Sequence, residues 1–183
     1  MFSPRESGSN VSSSKALQPV KPIRSAVPQD APVLARLIND AFTVEAFFKI
    51  GDRTSADEIL RMMEGPSTAL GAGGQFLVLE EPPGAIAGTV YLQFRGDRAY
   101  FGMLSIEPSR QGGGLGRLLI DAVEARSRER GCRAVDIHIV NLREELPPFY
   151  RRLGYVENGT LPFSDAERAS RPCHFIVMTK ALG

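Results

Sequence analysis

A chain of 183 residues, 43% hydrophobic and 23% charged, with a formal net charge of +1, is sized for one globular domain around a single core. Near-neutral charge argues against a polyanion as the main partner, and no apolar run approaches bilayer length, so nucleic-acid and membrane functions are set aside. The two cysteines, Cys132 and Cys173, read as reduced thiols of a cytoplasmic protein, because a core of this size needs no disulfide.

Residues 1–20 are Ser-rich and lack a hydrophobic segment, which predicts a disordered arm, not a secretory signal, ahead of one domain at 21–183. A short strand is expected at 23–26. Asp30 then reads as an N-cap, behind which Val33, Leu34, Leu37, Ile38, Ala41 and Phe42 recur at helical spacing. An aromatic and charged connector at 45–53 leads to a second helix. Ser55 and Glu58 match a capping box at its start, and it runs to about Glu64 before Gly65-Pro66. Gly71, Gly73 and Gly74 read as loop. Strands at 76–80, 86–94 and 99–106, separated by turn residues, form a meander.

After the glycines at 112–116, Leu115, Leu118, Leu119, Ala122 and Val123 give a helix one apolar face. Glu124 and Arg128 form an i,i+4 pair on the opposite side, and Gly131 is the expected C′ residue. A strand at 133–140 follows this crossover helix and is therefore expected to run parallel to 99–106. Prolines place the start of a last short helix at about Pro147.

Residues 109–119 read Ser-Arg-Gln-Gly-Gly-Gly-Leu-Gly-Arg-Leu-Leu. In the order strand, Gly-rich turn, helix, parallel strand, the unpaired N–H groups of the turn and first helical turn converge on one point, a site for a phosphate or pyrophosphate. Slack loop is the other reading of the glycines taken alone. A Walker loop is excluded because Gly116 is followed by Arg117-Leu118 and not Lys-Ser/Thr. A dinucleotide fingerprint is excluded too: its third glycine falls on Arg117 or Leu119, and Asp136, near the distance for a ribose-binding acid, lies in mid-strand. Cys132 and His138 are about 20 Å apart if extended, and Cys173 and His174 face opposite sides of a strand, so neither a metal site nor a Cys-His nucleophile is expected.

At this point the residues resemble the GNAT superfamily of acyl-CoA-dependent N-acetyltransferases. Gln111-Gly112-Gly113-Gly114-Leu115-Gly116 is similar to the family's Gln/Arg-x-x-Gly-x-Gly/Ala loop, and 101–106 with Pro108 looks like the strand before it. Phe149-Tyr150-Arg151-Arg152-Leu153-Gly154-Tyr155 resembles the family's short helix ending in Tyr-x-x-x-Gly-aromatic, and 174–180 resembles its closing strand. The likeness runs from about 23 to 182. It implies an α/β (α+β) fold: a mixed, mostly antiparallel sheet of six to seven strands, a central parallel pair splayed for coenzyme A, and about four helices on both faces.

The resemblance also implies acetyl-CoA as cosubstrate, no metal, and transfer of the acetyl group to a primary amine of a small molecule or peptide by direct attack. The pyrophosphate is expected on Gln111, Gly112, Gly113, Gly114, Leu115, Gly116 and Arg117. The pantetheine arm is expected along the backbone of Leu104, Ser105 and Ile106, with the Leu104 N–H polarising the thioester carbonyl. Tyr150 is the expected acid for the departing thiolate.

For the base, Glu45, Asp52, Glu107, His138 and His174 are candidates. Each taken separately reads as solvated loop charge, turn residue or half-buried strand histidine, and a water chain is the alternative. Asn141 stands nine residues before Tyr150 rather than the family's seven, so the coenzyme contact expected of it is not carried over, while Arg143, Glu144 and Glu145 are placed to shape an acceptor site. Phe47, Phe48, Asp52 and Arg53 of the connector are the expected acceptor contacts, with packing of the connector onto the sheet as the other reading. A non-catalytic acyl-CoA sensor or assembly module is the rival function, and a monomer or homodimer is expected.

Overall fold

In the computed structural model the described residues are 23–64 and 73–183. The arm expected at 1–20, the Gly65-Pro66 helix stop and Gly71 lie outside them. Seven strands form one sheet: β1 (Ile23–Ser25), β2 (Gln75–Glu80), β3 (Ile86–Arg95), β4 (Arg98–Ile106), β5 (Ala134–Val140), β6 (Val156–Pro162) and β7 (His174–Ala181), in the order β1-β2-β3-β4-β5-β7-β6. Every neighbouring pair is antiparallel except β4 and β5, which are parallel as the crossover helix requires.

The alternation of β2 shows how the layers are chosen. Phe76 and Val78 pack with Leu34 and Ile38 of α1 (Ala31–Phe42) and Ile59 of α2 (Ala56–Glu64). Leu77 and Leu79 point the other way, onto Leu119, Ile120 and Val123 of α3 (Leu115–Glu129), in a cluster that also holds Tyr150 of α4 (Leu146–Arg152). The sheet is thus covered by α1 and α2 on one face and by α3 and α4 on the other. None of the described helices is long and apolar enough to cross a membrane.

Several local expectations change. A 3-10 turn at Pro28–Asp30 precedes α1, and Asp30 is already helical with no cap bond to that helix. Its carboxylate instead accepts from Arg24 at 2.7 Å and from the Val27 amide at 2.9 Å. Val33 is exposed. The Ser55 cap is present, its hydroxyl accepting from the Glu58 amide at 3.2 Å.

Glu124, expected on the solvent side of α3, is buried. It pairs with Arg128 at 3.6 Å, but it also accepts from Lys180 of β7 at 2.7 Å and from the Tyr155 hydroxyl at 3.2 Å, so β7 and the chain after α4 close over it. Strand β6 gives no alternating pattern because all seven of its residues are exposed. It is an edge strand whose one described strand neighbour is β7, with Glu157 also paired to Arg151 of α4.

Candidate functional site

Parallel pairing of β4 with β5 extends only from Arg98↔Ala134 to Phe101↔Ile137. Just beyond, the β3 partner of β4 shifts register: Thr89 pairs Ser105 while Tyr91 pairs Gly102, so Met103 and Leu104 both oppose Val90. This is a β-bulge, and Met103 carries its strain as the one described non-glycine residue with positive φ, +51°. The bend directs β4 away from β5, and Gly102–Ile106 have no β5 partner. Extended backbone with an unpaired edge is a template for another extended chain.

A cavity of about 510 Å³ opens at this parting, between Gly102, Met103, Leu104 and Ile106 on one side and residues 137–140 on the other. Leu104 and Ile106 line it, whereas Ser105 is buried with its hydroxyl donating to the Met103 carbonyl at 3.1 Å.

The glycine turn stands at the cavity edge. Gly112 and Gly114 adopt φ of +81° and +79°, the left-handed region that disfavours a side chain. A Cβ added at Gly113 meets only the Arg110 carbonyl at 3.6 Å, and at Gly112 or Gly114 it meets nothing within 4 Å, so the outer surface of the turn is open to a ligand. Gly114 then precedes the 15-residue α3, whose first amides have no intrahelical acceptor and carry the positive end of the dipole. Gln111 lines the cavity and donates from its side chain to the Ile106 carbonyl at 3.2 Å, and Arg117 is paired with Asp121 at 2.7 Å.

Tyr150 also lines the cavity. Pro147 and Pro148 begin α4 where missing amide hydrogens do no harm, and Gly154 ends it with φ of +90°. The Tyr155 amide returns to the Tyr150 carbonyl at 3.1 Å, which locks the position of the tyrosine. Its ring lies among Phe101, Phe149 and Tyr155, and burial lifts its phenol well above the usual tyrosine range. It therefore stays protonated at physiological pH.

Of the five base candidates, the cavity brings together two. His138 lies between the tilted rings of Tyr100, with centroids 4.8 Å apart, and Phe175, at 5.8 Å, and burial lowers its pKa so that it is neutral near pH 7. Glu45, expected as a solvated loop charge, is 5% exposed. Its proton affinity is raised by burial, against the opposing pull of Arg53, Arg143 and Lys49. One carboxylate oxygen accepts from Arg143 at 3.2 Å, and the other, Oε2, has no partner. Asp52 and His174 are exposed outside this cavity, and Glu107 is held by Arg110 at 2.6 Å.

The connector accounts for Glu45. Phe48 is fully buried against Val140 and Phe163. The connector is also stitched to the β6–β7 loop: Lys49 meets Asp165 at 2.8 Å, the Ile50 amide donates to the Arg168 carbonyl at 2.9 Å, and the Ser170 amide to the Phe48 carbonyl at 2.7 Å. Of the four connector residues expected to meet an acceptor, only Arg53 lines the main cavity. Phe47 packs edge-on to Phe48, and Asp52 borders a smaller hollow of about 130 Å³. Arg53 lies over the Phe42 ring at 5.1 Å.

Arg143, between β5 and α4, joins this wall through Glu45 and through Glu145 at 2.6 Å. Asn141 is occupied elsewhere, accepting from the His174 amide at 2.8 Å. Among the described residues no group of three or more His, Cys, Asp or Glu is arranged to hold a metal ion.

Residues 72–157 match the family model of the acetyltransferase (GNAT) domain. A comparison with curated proteins gives no match. Among solved structures, the ribosomal-protein-S18-alanine N-acetyltransferase of Escherichia coli is similar with a TM-score of 0.67 and 17% identity, over 90% of this chain and 95% of that one. The ribosomal-protein-alanine N-acetyltransferase of Brucella melitensis is similar with a TM-score of 0.67 and 24% identity, over 87% and 98%. A nourseothricin acetyltransferase is similar with a TM-score of 0.64 and 20% identity, over 88% and 98%. The sheet, its parted parallel pair and the matched segment agree: the fold is that of the GNAT superfamily, and residues 72–157 carry the match to its acetyltransferase domain.

Proposed function

We propose that this GNAT domain transfers the acetyl group of acetyl-CoA to a primary amine by direct attack, with no covalent enzyme intermediate. The observation that carries the reading is the parting of β4 from β5 beside an open glycine turn, with Tyr150 facing the same cavity. The amides of Gly112–Arg117 take the diphosphate at the start of α3, where backbone donors and the dipole favour negative charge. The unpaired edge of Leu104–Ile106 takes the amide-bearing pantetheine arm, and a β4 amide, assigned to Leu104, meets the oxygen that gains charge as the amine adds.

Holding both reactants in one cavity supplies much of the acceleration. An ammonium acceptor must first lose a proton to become a nucleophile, and His138 and Glu45 are both equipped to take it. As the tetrahedral adduct collapses, the C–S bond breaks and Tyr150 gives its phenolic proton to the sulfur. The second nitrogen proton restores the phenol, so the sum is amide, free thiol and one released proton. A domain that only senses acyl-CoA would need the glycine turn and the strand edge but not a protonated Tyr150 at the cavity.

The test is release of free thiol from acetyl-CoA with and without an amine panel, alongside calorimetric binding. The expected result is amine-dependent release, with Tyr150→Phe lowering kcat by about 100-fold and leaving acetyl-CoA affinity unchanged. Binding without turnover by any amine would favour the sensor. No binding would remove the reading altogether.

A further inference from the structure

Among the described residues, two buried side-chain polar atoms have no hydrogen-bond partner, Glu45 Oε2 and Arg53 Nε, and both belong to residues lining the same cavity. One is an acceptor with negative charge and the other a donor with positive charge. Leaving either unpaired is costly, and such exceptions call for an explanation. The remaining cations nearby are committed: Arg143 to Glu45 and Glu145, and Lys49 to Asp165. Much of the remaining lining is apolar or aromatic, with Phe42, Met62, Phe149 and Phe175 alongside the polar-tipped Tyr100 and His138.

We infer that the acceptor is a free α-amino acid with an apolar side chain, its carboxylate held by Arg53 and its ammonium by Glu45. This rests on the acetyl-transfer reading and names the substrate class of that site. A zwitterion supplies the two partners the cavity lacks, one for each unpaired atom. Arg53 suits a carboxylate because guanidinium donors match its geometry, and its guanidinium rests over the Phe42 ring at 5.1 Å. Glu45 takes one proton from the ammonium and passes it to solvent, and the neutral amine then attacks the thioester. The second nitrogen proton replaces the one Tyr150 gives to sulfur, so the step is balanced with N-acetyl amino acid and free thiol as products.

The wall also argues against a polypeptide acceptor. The connector and the β6–β7 loop are joined by Lys49–Asp165 and by the Ile50–Arg168 and Ser170–Phe48 backbone bonds, so no slot separates these two segments. A peptide N-terminus, moreover, offers Arg53 a neutral amide in place of a carboxylate.

The experiment compares phenylalanine, leucine and methionine with their primary amides, their decarboxylated amines, and short peptides beginning with the same residues or with alanine. Thiol release and product mass are read for wild type, Arg53→Gln and Arg53→Lys, with thermal melting as a fold control. The free acids should exceed amides, amines and peptides by at least about tenfold in kcat/KM, the scale of one charged contact. Arg53→Gln should collapse that ratio through KM for the acid while KM for acetyl-CoA holds, and Arg53→Lys should restore part of it.

Equal or better turnover of amides, amines or peptides overturns the inference, as does a ratio that Arg53→Gln leaves intact. If no panel member is turned over, calorimetry of the acids against the protein–coenzyme A complex decides: binding that is lost in Arg53→Gln supports it, and no binding overturns it. Acetyl-CoA binding measured alone separates the two levels. Its absence sinks the acetyl-transfer reading, whereas its presence with acceptors indifferent to a carboxylate sinks only this one.

Discussion

Burial raises the proton affinity of Glu45 despite three neighbouring cations, Arg53, Arg143 and Lys49, and Arg143 is shared with Glu145 at 2.6 Å. The folded state therefore holds this proton more tightly than the unfolded chain does. Stability from the group is fully present below the ordinary carboxylate range and is lost as pH rises through that range to the raised value. Glu45→Gln should consequently melt at a higher temperature than wild type at pH 7, with the gap closing toward pH 4, while kcat/KM drops by about 100-fold. In wild type the acid limb of kcat/KM should lie above the usual carboxylate range. A lower melting point at pH 7, or an acid limb unchanged by the substitution, would assign Glu45 a structural role. The sequence offered Glu45 as one of five base candidates but read it as a solvated loop charge, because what buries it comes from far along the chain: Arg143, and the loop that carries Phe163 and Asp165. Tyr150 was legible by contrast, since a short helix closed by Gly154 fixes its place locally.

Elements with strong local punctuation were the readable ones. The meander, α3 with its C′ glycine, Gly131 at φ +75°, and the parallel placement of β5 all follow from turn residues, helical period and crossover handedness. The bulge in β4 had no such mark, because a methionine and not a glycine occupies the positive φ, and the exposed β6 had no alternation to read. The glycine turn divides into two physical roles that substitution can separate. Gly114 needs its φ of +79°, so Gly114→Ala should cost about 1 kcal/mol of fold stability, or roughly 2–4 °C in a domain of this size. Gly113 has an ordinary φ and room for a methyl group, the nearest atom being Arg110 O at 3.6 Å. Gly113→Ala should therefore melt within about 0.5 kcal/mol of wild type yet bind acetyl-CoA about tenfold more weakly, since the methyl group would stand where the proposed diphosphate site meets the backbone. Calorimetry on both variants decides; unaltered affinity in Gly113→Ala would move the diphosphate off this turn.

Across the whole molecule, the sheet is two assemblies, β1-β2-β3-β4 and β5-β7-β6, joined through only four paired residues on each side, from Arg98 to Phe101 and from Ala134 to Ile137. The family match at 72–157 spans that joint and the glycine turn but stops short of the connector on one side and of the 163–173 loop on the other. This is why the motif-bearing segments were legible and the wall around Glu45 and Arg53 was not: that wall is assembled from segments outside the motifs, meeting through contacts such as Lys49–Asp165. A ligand lying between the parted strands binds both assemblies at once and only in the folded state. At one hundred times its dissociation constant it adds about 2.7 kcal/mol, which at 2–4 °C per kcal/mol raises the melting point by roughly 5–10 °C. Amide exchange at Leu104–Ile106 should slow in the same complex, as an edge without a β5 partner acquires one. Adenosine diphosphate alone should give a smaller shift and leave exchange on β4 unchanged, because it reaches the turn but not the strands. An equal shift from the nucleotide would mean that the parted edge takes no part in binding, and the pantetheine assignment would fall while the turn kept its diphosphate.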